Sequence, residues 1–127
     1  MNTERVLKEL GEKYPGKNII LNPPENPTEI VCEIDPPTSH PDYSVAVAVI
    51  DQSIPHSHNV TCELYRIMKG NLKLTVGGRM HCLREGDEYT IVPGKTHHAE
   101  GNETWVKATS RPGWTPSDHI LVEGKKL

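Results

Sequence analysis

At 127 residues the chain has the length of one domain, and with 5% aromatic residues and no Phe its core must come from Val, Ile, Leu and a few Met. A formal charge of -3 without any Lys/Arg cluster argues against nucleic-acid and anionic-membrane partners, and leaves small molecules as the expected ligands. The longest apolar run, Val45 to Ile50, is far too short to span a bilayer, and Met1 to Arg5 does not lead into a signal-peptide core, so a cytoplasmic protein is expected.

Residues Thr3 to Leu10 place Val6, Leu7 and Leu10 on one helical face, with Gly11 as the stop. Pro15, Pro23, Pro24 and Pro27 then punctuate an extended arm, in which Glu29 to Ile34 alternates as a strand before the break at Pro36-Pro37. Residues 1–40 are read as this helix and arm, and 41–127 as the main body of a single domain. Short strands follow at Ser44 to Asp51, Cys62 to Met68, Asn71 to Val76, Arg79 to Leu83, Glu88 to Val92, Thr104 to Thr109 and His119 to Glu123. Lys69-Gly70-Asn71 and Gly77-Gly78 read as hairpin turns. Many short strands with regular turns predict an all-β sandwich or barrel.

Within this frame His56 and His58 lie two apart and project from one face of a strand. Glu63, an odd five residues beyond His58, meets them only if the chain turns at Asn59 to Thr61, which predicts a hairpin bringing two imidazoles and one carboxylate to a single divalent cation. A second strand-like run, Gly86 to Val92, ends in Pro93-Gly94 with His97 shortly after it and suggests a fourth ligand. Cys32, Cys62 and Cys82 are odd in number and lack a CxxC spacing, which argues against both a disulfide framework and a thiolate zinc site.

His56, His58, Glu63 and Gly70 resemble the first cupin motif, HxHx4Ex6G, and Gly86, Gly94 and His97 resemble the second, Gx5PxGx2Hx3N. The resemblance implies a double-stranded β-helix, the jelly-roll or cupin barrel. It also implies that His56, His58, Glu63 and His97 hold one divalent transition metal ion, with Fe, Mn, Ni and Zn all open. Small cupins commonly pair, so a homodimer is expected, with the N-terminal arm adding a strand to a partner barrel or covering its own. The chain departs from the pattern at Ile50 for an opening Gly, at Val92 with Pro93 beside it, and at Gly101 for the final Asn. His98 is disfavoured as a ligand by its spacing from Gly94.

Tyr65 and Ile67 share the strand face of Glu63, so they should line the interior, with Tyr65 a candidate substrate-binding residue and Arg66 facing out. Lys95 is read as a solvated loop residue, with anion attraction at the barrel mouth as the alternative. Trp114 is read as an anchor for the C-terminal segment, with a pocket lid as the alternative. His40, His81 and His119 lack partners in the sequence pattern and read as ordinary residues. Three histidines and one glutamate leave two positions open on a six-coordinate ion, which suits isomerase or lyase chemistry, or an Fe(II) dioxygenase, on a small polar oxygenated substrate. The alternative is a non-catalytic module that binds or senses a sugar or carboxylate. No general base is identifiable from the sequence.

Overall fold

The computed structural model describes residues 1–122. It comprises one helix, α1 (Thr3–Lys13), and ten strands: β1 (Asn18–Asn22), β2 (Glu29–Asp35), β3 (Ser44–Gln52), β4 (His56–Ser57), β5 (Cys62–Lys69), β6 (Asn71–Val76), β7 (Arg79–Arg84), β8 (Glu88–Ile91), β9 (His97–Arg111) and β10 (Ile120–Leu121). The expected all-β jelly roll is what forms. The strands make one curled sheet in which β9 is the common partner: it pairs with β3, β4, β5 and β6.

Asn2 caps α1 by accepting from the Arg5 N–H at 3.1 Å. The helix runs past Gly11 to Lys13 and stops before Pro15, whose ring disfavours a helical conformation at Tyr14. Gly11 is therefore helical and not the stop. Val6 and Leu10 pack on Ile30, Cys32, Val47, Val49 and Trp105, forming a core outside the barrel. A second core, including Ala48, Ile50, Ile67, Leu74, Ile91 and Val106, fills the inside. The continuous apolar run of β3 follows, because its alternate residues are buried on opposite faces of the sheet. The arm, in turn, contributes a hairpin in which β1 pairs with β2 and β2 with β3, so the segment after Pro15 is ordered as sheet.

Gly77-Gly78 makes the expected hairpin, with Val76 opposite Arg79. Gly70 does not. β5 and β6 do not pair with each other; both lie along β9, Lys69 opposite Trp105 and Leu72 opposite Gly101. Gly70, at φ 87°, carries the chain round this corner. The last expected strand is reduced to Ile120–Leu121, and Glu123 lies outside the described residues. No helix among the described residues is long and apolar enough to cross a membrane.

Candidate metal centre and cavity

His56, His58, Glu63 and His97 come together as the sequence predicts: all four are buried, and one donor atom from each lies within 4.8 Å of every other. Three backbone carbonyls orient the imidazoles. Nδ1 of His56 contacts the Ile54 oxygen at 2.8 Å, Nδ1 of His58 the Asp118 oxygen at 2.8 Å, and Nδ1 of His97 the Lys95 oxygen at 3.1 Å. A carbonyl only accepts, so each Nδ1 carries a hydrogen and Nε2 is the ring nitrogen left to offer a lone pair inward. This is the orientation in which histidines ligate through Nε2.

Nε2 of His58 and Nε2 of His97 stand 2.9 and 3.1 Å from the same Glu63 oxygen, Oε1. These contacts lack hydrogen-bond alignment, and the three atoms are buried without a hydrogen-bond partner. Two lone pairs facing a carboxylate repel, and a divalent cation among them removes the conflict, so the residues fit a metal. Burial opposes ionisation of Glu63, but His58 and His97 outweigh it and hold the carboxyl well below the usual range. Burial, with His97 and His119 adding, pushes His56 down to about 3. Burial also disfavours charge on His58, yet Glu63 outweighs it and raises His58 overall, so a proton and a cation compete for that pair.

The expected hairpin between the His56 strand and the Glu63 strand is not formed. β4 pairs instead with β9, His56 opposite His97, and with β10, while β5 pairs with β8 and β9. The turn at Asn59 to Thr61 is real, but it is held from elsewhere: the Asp118 carboxylate accepts from the N–H groups of Asn59 at 2.9 Å, Val60 at 3.2 Å and Thr61 at 3.0 Å. Those bonds outweigh burial and keep the Asp118 carboxyl below its ordinary range. The Gly94 N–H donates to the His58 carbonyl at 2.6 Å, which ties the two motifs directly. Gly101, where the family pattern has Asn, is required here: an added Cβ would lie 2.9 Å from the Ile50 oxygen.

A cavity of about 450 Å³ opens beside the four ligands. Glu63 and Tyr65 enter it from β5, while Arg66 points out and pairs with Glu88 at 3.6 Å. Burial, then the charges of Glu63 and Glu29, hold the Tyr65 phenol well above its ordinary pKa, so it keeps its proton at neutral pH and can donate a hydrogen bond. Ile67 packs in the core rather than lining the cavity. His98 is outside the ligand cluster. Lys95 lies against Gly77 and is not among the lining residues.

Three titratable lining residues, His119, Glu29 and Glu33, have no site role in the sequence reading. His119, read as ordinary, stacks on His56 with ring centroids 4.0 Å apart and an interplanar angle of 12°. The Trp114 indole N–H donates to its Nδ1 at 3.0 Å, while the Trp114 backbone N–H is anchored on the Ser44 hydroxyl at 2.9 Å. His40 and His81 keep structural partners, Asp35 at 2.6 Å and the Tyr89 hydroxyl at 3.2 Å. Glu29 enters the cavity because β2 alternates: Glu29, Val31 and Glu33 face in, whereas Ile30 and Cys32 face α1. Burial raises the Glu29 carboxyl to about 7, the charge of Glu63 adds to the shift, and a hydrogen bond from Asn22 opposes it. No sequence signal marked Glu29, since a carboxylate in an arm reads as solvated.

Residues 43–108 match the model of the cupin domain. The chain belongs to the cupin family. Among solved structures this cupin is similar to a variant of Streptomyces PAC13 with uridine, at 14% identity over 86% of this chain and 87% of that one, with a TM-score of 0.73. Pac13 is a nucleoside dehydratase. KdgF from Halomonas sp. shares 17% identity over 69% of this chain and 83% of that one, with a TM-score of 0.62. An RmlC-like cupin from Shewanella frigidimarina shares 15% over 76% and 85%, with a TM-score of 0.64. At these identities the likeness is one of fold. No curated protein matches the chain.

Proposed function

We propose that this cupin is a mononuclear metal-dependent enzyme acting on a small polar oxygenated substrate, by isomerase- or lyase-type chemistry or as a dioxygenase. The observation that carries the reading is the convergence of two carbonyl-anchored imidazoles on one buried carboxylate oxygen, with all three atoms left without hydrogen bonds. His56, His58, Glu63 and His97 would hold the ion. When bound, it supplies Lewis acidity and open coordination positions for substrate oxygens.

The other residues have roles of their own in this reading. Tyr65 presents a phenol that stays protonated and can donate a hydrogen bond to the substrate. Glu29, with a carboxyl near pH 7, can hold or release a proton at its carboxyl oxygen, the property that acid–base catalysis asks of a side chain. That pair favours an enzyme over the alternative, a passive sugar or carboxylate binder. A cytoplasmic location and a homodimer belong to the same proposal.

Metal analysis of protein purified without added metal tests the reading, followed by oxygen uptake with the ion it carries. Close to one transition-metal ion per chain is expected. A protein that retains none, and takes up none when offered Fe, Mn, Ni or Zn, is not this enzyme. The uridine-bound relative makes nucleosides reasonable first probes.

A further inference from the structure

The charges lining the cavity are one-sided. Glu29, Glu33 and Glu63 are the acidic residues among the described lining, and neither Lys nor Arg joins them. Most of the remaining wall is apolar, as at Val31, Ala48 and Val106. Two cations that adjoin lining residues in the chain point elsewhere: Arg111, after Ser110, lies over the Tyr43 ring at 5.3 Å, and Arg66, after Tyr65, pairs with Glu88 on the outside. A divalent ion at the four ligands would cancel the charge of two carboxylates, so the loaded cavity gains no surplus of positive charge. A phosphate or carboxylate entering it would give up hydration among apolar walls and meet Glu29 or Glu33 without a compensating cation. A neutral molecule escapes that penalty. The polar atoms that remain suit its hydroxyl or amide groups: the carboxylates accept, and Tyr65 donates.

We propose that the cavity selects an uncharged ligand bearing hydroxyl or amide hydrogens, and that Glu29 and Glu33 are the specificity residues that reject its anionic analogues. The proposal rests on the preceding reading only for where the ligand sits relative to the ion. Its test is a nuclear magnetic resonance titration of the full chain at pH 8, where Glu29 is ionised, metal-loaded and metal-free, with two matched pairs of probes. These are uridine against uridine 5′-monophosphate, and methyl glucoside against glucose 6-phosphate.

At least one uncharged member should shift the resonances of Tyr65 and Val106 and bind about tenfold or more tighter than its anionic partner, the scale of an uncompensated like-charge contact. Glu29→Gln together with Glu33→Gln should shrink that preference to under about threefold. Glu33→Gln alone should narrow it in the same direction, should the double variant fold poorly. An anionic member binding as tightly as its neutral partner overturns the proposal, and so does a failure of both neutral probes to bind. Charge selection that persists in a protein unable to hold metal would overturn the enzyme reading and leave this one standing. Metal binding with a preference for the anions would do the reverse.

Discussion

The indole N–H of Trp114 fixes His119 in the tautomer opposite to that of its three neighbours. Because an indole only donates, Nδ1 of His119 must accept, and its hydrogen sits on Nε2, whereas His56, His58 and His97 carry theirs on Nδ1. His119 is thus a stacked, neutral hydrogen-bond donor beside the ligands. Trp114→Phe keeps most of the ring volume and removes the donor. Nitrogen-15 spectra should show His119 as the single Nε2–H tautomer in the parent and as a mixture in the variant, with a stability loss of about 1 kcal/mol.

Glu63→Gln keeps the size of the side chain and removes the anionic ligand. Metal affinity should fall by at least about tenfold, the scale on which even supporting residues act, and circular dichroism should report an unchanged barrel. The fold is expected to survive because Ile50, Ile67 and Val106 bury the inner core without the ion.

Asp118→Ala should loosen the turn that holds the ligands. Two of the N–H groups it frees, on Asn59 and Val60, are exposed and can turn to water, so the stability cost should lie near the lower end of about 1–3 kcal/mol. Metal affinity should drop with it. The native carboxyl is depressed, so its contribution is present above the unfolded pKa of 3.8 and is lost as pH falls through the lower folded value. Thermal melts of parent and variant should therefore converge in strong acid.

Glu29 predicts the opposite pH dependence. Its folded pKa of about 7 lies above the ordinary 4.5 of a free glutamate, so the folded state binds the extra proton and stability falls as pH rises from about 4.5 to 7. In metal-free protein Glu29→Gln should be neutral at pH 4 and stabilising at pH 8, by about 1–3 kcal/mol, because the shared cavity admits solvent and reduces the full effect. Melting temperatures that track the parent at both pH values would contradict this.

Tyr65→Phe removes one hydroxyl from the cavity wall. Ligand affinity should fall by about tenfold or less, with stability changed by under about 1 kcal/mol. An equal loss of stability with ligand affinity intact would assign Tyr65 to packing.

His56, His58 and Glu63 are legible from period-two alternation and a forced turn, which are local features, and the Pro-Gly reversal suggests His97; the full set is what the resemblance to the cupin motifs implies. The strand pattern, β3 through β8, is legible from local features too. What escaped depends on contacts between distant segments. The turn at Asn59 was read from its own residues, yet its support is Asp118, 59 positions away. His119 has no neighbour in sequence to signal its role; Trp114 and His56 give it one in space. Gly70 looked like a hairpin because local turn chemistry cannot tell whether the flanking strands pair with each other or with β9.

The anchoring of the ligand turn by Asp118 also sets an order of assembly during synthesis. At about 5–20 residues per second, His56, His58 and Glu63 are made several seconds before the residue that holds their turn. The turn that carries His58 gains its native support only when the segment around Asp118 folds back onto it, so the four side chains are set in their final geometry late in folding.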